Sequence, residues 1–253
     1  MIKTGLVSVS FRSLGCEEII KITKESGLDG IEWGGDVHVP PADFKRARQV
    51  AEMTKTAGLE ISAYGSYYRV GTYKDNYKDV FSEILETAEV LGAPVIRIWA
   101  GTTASDDVGK NERKRLTEEC IEISKMAEKK GITLAFECHR NTLTDRYTSS
   151  LRLMKETDGR LKMFWQPNEE MDFDYNLEAL KKLLPHLQNV HVFNWTAPGV
   201  KMPLAQAKEQ WKEYISLIGS DKREHWCNLE FMPDDRPKTL KVEAETLKML
   251  TAE

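Results

Sequence analysis

Apolar and polar positions along the chain alternate between two patterns. Short, mostly apolar runs are each followed by a longer stretch whose apolar residues fall three and four apart. The first pattern fits buried strands and the second fits one-sided helices. Lys3 to Val9 is followed by Gly15 to Ser26, and Gly30 to Trp33 by Pro41 to Ala57. Further strands are predicted over Glu60 to Tyr64, Val95 to Trp99, Thr133 to Glu137, Leu161 to Trp165, Asn189 to Phe193 and Trp226 to Phe231. The helical pattern recurs near Tyr77 to Leu91, Asn111 to Lys130, Thr148 to Glu156, Tyr175 to Leu184, Leu204 to Ile218 and Pro237 to Leu250. Gly27, Gly58, Gly92 and Gly131 each stand just before a strand, where glycine ends a helix at no steric cost. No Pro/Ser/Gly-rich linker interrupts the series. The pattern predicts an α/β fold, a (β/α)8 TIM barrel with a parallel eight-stranded barrel, over residues 1–253 as one domain. An open doubly wound sheet is the alternative, but Val9-Ser10-Phe11-Arg12-Ser13 lacks the glycine-rich phosphate turn expected after its first strand.

Alternate residues of a barrel strand point inward while the others pack beneath the helices, which sorts polar from apolar positions. In Thr133-Leu134-Ala135-Phe136-Glu137, Leu134 and Phe136 share the outer face and Glu137 the inner one. The same sorting sends His191 inward between Val190 and Val192, Glu230 inward between Leu229 and Phe231, and Arg97 and Trp99 inward past Ile96 and Ile98. Polar groups thus collect at the strand ends, where barrels of this kind hold their chemistry.

Composition narrows the function classes. The 253 residues are 41% hydrophobic and 30% charged, enough for a globular core. A net charge of −4 supplies no bulk positive field for a phosphate backbone, so nucleic acid is not an expected partner. Met1 to Val9 is too short for a signal peptide and reads as the first strand, and no apolar run approaches about 18 residues. A cytoplasmic protein with no membrane partner is expected. Cys16, Cys120, Cys138 and Cys227 form no C-x-x-C pair and read as reduced, with Cys120 and Cys227 filling the core. The basic run Lys110 to Arg115 reads as the solvated start of a helix.

Glu137, Gln166, His191 and Glu230 fall at or near the ends of the last four strands, each separated from the next by roughly one β/α unit. Two carboxylates, an imidazole and an amide oxygen make a mixed shell suited to Mn2+, Mg2+, Co2+ or Zn2+. Inward glutamates are costly to bury without a cation, which points Glu137 and Glu230 to ligation or catalysis. A strand histidine is equally often a hydrogen-bonded core residue, and the Gln166 amide could simply bond within the barrel. His38, Tyr64, Tyr67, Trp99, His139 and Trp195 follow strand ends, where rings suit the faces and hydroxyls of a sugar-like molecule. Strand-end aromatics also plug barrels, so about half of the six are expected to touch a ligand.

The segments Ala135-Phe136-Glu137-Cys138-His139, Asn189-Val190-His191-Val192 and Asn228-Leu229-Glu230 resemble the xylose isomerase-like barrels, the sugar phosphate isomerase/epimerase superfamily that also includes endonuclease IV. Ile31-Glu32-Trp33-Gly34-Gly35-Asp36-Val37-His38 and Ala63-Tyr64-Gly65-Ser66-Tyr67-Tyr68-Arg69 look like that family's second and third strand ends. The resemblance spans nearly the whole chain. It implies a divalent metal held by Glu, Asp, His and Glu, with the two glutamates moving a proton on either face of a hydroxy-carbonyl. The chain departs at the second ligand, where Trp165-Gln166-Pro167-Asn168-Glu169 carries an amide and so one negative charge less.

The leading expectation is an isomerase or epimerase of a sugar, sugar phosphate or polyol, with Glu137 and Glu230 as acid and base. A dehydratase of the keto-inositol or dehydroshikimate type is the second reading, because the same fold and shell can expel water after proton abstraction. A sugar-binding barrel without turnover is the third. Endonuclease activity is opposed by the charge balance and by too few His and Asp at the strand ends. A small sugar-like substrate is the expected partner, and a homo-oligomer is compatible with the sequence.

Overall fold

The computed structural model describes residues 1–252. Its strands are β1 (Ile2–Val7), β2 (Gly30–Gly34), β3 (Glu60–Arg69), β4 (Val95–Trp99), β5 (Thr133–Glu137), β6 (Lys162–Trp165), β7 (Leu187–Val192), the short β8 (Trp195–Ala197) and β9 (Val200–Lys201), and β10 (His225–Leu229). Strands β1 to β7 and β10 close into a barrel in sequence order, β10 returning to pair with β1, and every barrel pairing is parallel. The helices are α1 (Cys16–Glu25), α2 (Phe44–Thr56), α3 (Tyr77–Leu91), α4 (Lys110–Glu128), α5 (Tyr147–Glu156), α6 (Phe173–Leu183), α7 (Lys208–Ser220) and α8 (Pro237–Thr251). One follows each barrel strand, which gives the predicted α/β TIM barrel.

The main core lies between barrel and helices, where Ile31, Trp33, Ile96, Ile98, Leu134, Phe136, Val190 and Val192 are fully or almost fully buried. These are the outward positions of β2, β4, β5 and β7, so the pleat sorts the chain as expected. Inside the barrel, Ala63, Val95, Ala135 and Phe164 form a small apolar cluster. Asn189, Asn228 and Ser62 are buried without exposure, and the Asn228 amide donates to the Ser62 hydroxyl at 3.2 Å.

Departures from the expected boundaries have local causes. Asp43 accepts from the Arg46 backbone N–H and starts α2 at Phe44, past Pro41; Asp172 accepts from the Tyr175 N–H and starts α6 at Phe173. Leu204–Ala207 is a 3-10 turn, and α7 begins after it. Strand β3 runs on to Arg69 through an irregular register against β4. The β8–β9 hairpin turns at Pro198-Gly199, with Gly199 at φ 77°, the combination a tight turn uses. Within the basic run, Arg113 is buried against Glu156 at 2.9 Å and is not solvated. The four cysteines are free. Among the described residues no helix is long and apolar enough to cross a membrane.

Candidate active site

The inner face of the barrel carries a chain of buried charges. With Ile96 and Ile98 turned outward, β4 sends Arg97 inside, where its Nε donates to Glu32 Oε1 at 2.6 Å and its Nη1 donates to the Glu137 carboxylate. The second oxygen of Glu32 lies 2.9 Å from His191 Nε2 and accepts from the Asn228 amide at 3.3 Å. His191 Nδ1 stands 3.1 Å from Gln166 Oε1 and 3.4 Å from Glu230 Oε2. Glu137, Arg97, Glu32, His191 and Glu230 therefore form one unbroken series across the barrel. Gly65 of β3 makes room for it: a Cβ there would stand 2.6 Å from Arg97 Nη2, closer than side chains tolerate, and a tight 3.0 Å from Glu32 Oε1.

These contacts set the charge states. Burial would raise the Glu32 carboxyl, but His191 and Arg97 beside it hold it down at about 2. Burial would lower His191, yet Glu230 and Glu32 raise it to about 9, so its ring is an imidazolium donating from both nitrogens. Burial pushes Glu230 up to about 7, against the pull of His191 and with the help of Glu137. Glu230 is thus the carboxyl of this series whose ordinary value is shifted toward neutral pH.

Above this floor opens a cavity of about 290 Å3, room for a small polar molecule. Glu137, Gln166 and Glu230 line it, as do Tyr67, Trp99, His139 and Trp195 from the predicted contacts. His191 lies beneath, with no exposed surface. Two expected contacts stand elsewhere. His38 is buried with Nε2 3.1 Å from the Leu14 carbonyl and its ring at the edge of Trp33, and the Tyr64 hydroxyl donates to the Val39 carbonyl at 2.8 Å. Both tie down the segment after β2 and do not reach the cavity. Two aromatic residues of the cavity wall, Tyr67 at φ 61° and Phe231 at φ 56°, hold left-handed backbone that costs bulky side chains about 1–3 kcal/mol, a strain that gathers at functional sites.

Sequence reasoning missed Glu32, although the alternation of Ile31, Glu32 and Trp33 marks it inward by the rule that found Glu137. It also missed Arg12 and Arg69, cavity residues that carry no strand-face signal because they lie in a loop and at an irregular strand end.

The expected metal shell does not fit the residues present. Gln166, His191 and Glu230 meet, but Glu137 turns to Arg97, so a guanidinium already faces the carboxylate that would complete the shell. Gln166 adds no charge to the shell, and His191 is already bound through Nε2 to Glu32 at 2.9 Å. Among the described residues no group of three His, Cys, Asp or Glu side chains is disposed to hold an ion. Arg97 and His191 are the basic groups buried within the charge series.

Comparison with known proteins agrees with the architecture. The family described as xylose isomerase-like TIM barrel matches residues 20–250. A 3-dehydroshikimate dehydratase of Bacillus anthracis is 23% identical over 283 residues, covering 97% of this chain and 96% of its own. Among solved structures, a probable 3-DHS dehydratase of the same organism superposes with TM-score 0.81 at 21% identity, covering 98% of this chain and 99% of that one. D-Psicose 3-epimerase with D-tagatose from Clostridium cellulolyticum H10 gives 0.73 at 14% identity, covering 99% and 98%. A xylose isomerase-like TIM barrel protein from Mycobacterium smegmatis in complex with magnesium gives 0.74 at 15% identity, covering 99% and 97%.

Proposed function

Given that the chain belongs to the xylose isomerase-like TIM barrel family, we propose that it is a lyase that removes water from a small hydroxylated ketone, with Glu230 as the proton carrier. The observation that carries this reading is the inequality of the two glutamates. Glu230 titrates at about 7 at the cavity floor, while Glu137 is bound to the Arg97 guanidinium. Two-base epimerisation asks both carboxyls to exchange protons, and a proton on Glu137 would break its ion pair. One-base elimination asks this only of Glu230.

In that elimination Glu230, ionised, takes the proton from the carbon next to the carbonyl, and the C–H electron pair becomes an enolate. Arg97 and His191, fixed and buried, offset the negative charge as it develops. The enolate then reforms its carbonyl and expels the hydroxyl from the neighbouring carbon, which leaves as water with the proton returned by Glu230. An unsaturated ketone remains, and Glu230 is a carboxylate again. No metal enters these steps.

The full-length likeness to a 3-dehydroshikimate dehydratase supports the same reaction class and makes 3-dehydroshikimate the first substrate to test. The epimerase reading keeps one point in its favour, that both glutamates line the same cavity. Growth of the unsaturated product's absorbance with the natural chain, and its fall by at least about 10²-fold in Glu230→Gln, is the expected result for removing a positioned base. Equal rates in the two proteins would refute the role of Glu230.

A further inference from the structure

The cations around the cavity are not alike. Arg97 is shared by Glu32 and Glu137, Arg12 is held by Asp36 at 2.6 Å, and Arg140 lies 3.7 Å from Glu169. Arg69, at the end of β3, has no carboxylate partner among the described residues; its contact is the face of Trp99, with the guanidinium carbon 4.1 Å from the ring centroid. Trp99 is only 6% exposed and lines the same cavity, and its indole N–H is buried with no acceptor among the described residues. The indole N–H of Trp195, another cavity residue, is likewise without an acceptor.

A guanidinium that lies over an indole and pairs with no carboxylate keeps its N–H donors for a ligand, and their fork matches the two oxygens of a carboxylate or phosphate. An unpaired cation on the cavity wall calls for a complement, a negative group with several acceptor oxygens.

We propose that Arg69 and Trp99 form an oxyanion subsite of this cavity, and that the substrate carries a carboxylate or phosphate held there while its ketone lies over Glu230. This deepens the lyase reading and rests on it for the reaction, although not for the charge of the ligand. Arg12 supports the subsite from the side: it packs over Tyr67, whose ring meets Trp99 edge to face with centroids 4.9 Å apart. The subsite separates acids from neutral sugars of equal size, because a neutral ligand would leave Arg69 unpaired on binding.

Calorimetry and thermal shift with three probes test it: 3-dehydroshikimate as the carboxylate, inorganic phosphate, and the methyl ester of 3-dehydroshikimate as the neutral match. The natural chain is expected to bind at least one of the two anions, and to bind the acid about ten- to hundredfold more tightly than the ester, the worth of a charge-assisted pair. Arg69→Met should lose a similar factor for whichever anion binds. Arg69→Lys, which keeps the charge and loses the fork, should fall between. Tighter binding of phosphate than of the acid would assign the subsite to phosphate esters. Equal binding of acid and ester, undiminished anion binding in Arg69→Met, or no binding of either anion would each overturn the subsite. If the acid binds and is not dehydrated, the lyase reading falls and the subsite stands; if the ester is dehydrated as fast as the acid, the reverse holds.

Discussion

Glu230 owes its proposed role to surroundings that oppose one another: burial favours its neutral form, and His191 at 3.4 Å favours its charge. A base of this kind works only when ionised. The rate of the proposed dehydration should therefore rise with pH through about 7 and fall about tenfold per unit below it. A profile that stays level from about pH 8 down to about pH 5 would contradict Glu230 as the base. Glu32 makes the opposite case, a carboxyl held at about 2 by His191 and Arg97 against an ordinary value of 4.5. Its pKa is depressed on folding, so its contribution to stability is complete above about 4.5 and disappears as pH falls toward 2. Glu32→Gln should flatten this acid limb and cost about 3–5 kcal/mol at neutral pH, since Arg97 and His191 each lose a buried partner. Urea titrations of both proteins across that range are the check, and an unchanged midpoint at neutral pH would count against the charge series. Glu137, Arg97, His191 and Glu230 were legible as inward residues because apolar neighbours mark the outer face. Their pairing was not legible, because Arg97 reaches Glu137 and Glu32 across strands far apart in sequence.

At the scale of elements, β3 decides whether the series fits. Gly65 stands where any larger residue would press on Arg97 and Glu32. Gly65→Ala should destabilise the fold by about 1–3 kcal/mol, as overpacking does, and should also reduce turnover by displacing Arg97. Natural stability together with natural turnover in that variant would show that the close approach is unimportant. The same strand shows the limit of pattern reading. Alternation located its first half at Glu60 to Tyr64, but the second half departs from regular pairing and puts Tyr67 in left-handed backbone. Helix α2 starts later than Pro41 because Asp43 acts as a cap inside a stretch whose apolar spacing already looks helical, and α6 starts earlier than Tyr175 because Asp172 caps it ahead of that stretch. The β8–β9 hairpin is too short for any periodicity to mark it.

For the molecule as a whole, strand and helix order made the closed barrel readable, because eight repeats of one unit leave few other ways to bury both faces of the strands. The cation of the site was not readable from that order. Four donor-bearing residues at successive strand ends suggest a metal shell, while Arg97 takes Glu137 away from it. The purified chain should therefore carry no stoichiometric divalent metal by elemental analysis, and Mn2+ should leave its melting temperature unchanged. Bound metal at one per chain would reverse that conclusion and restore Gln166 as a ligand. The reaction itself is tested most directly by the mass of the product formed from 3-dehydroshikimate. A product lighter than the substrate by one water, formed by the natural chain and not by Glu230→Gln, is the predicted result; an isomer of unchanged mass would contradict it.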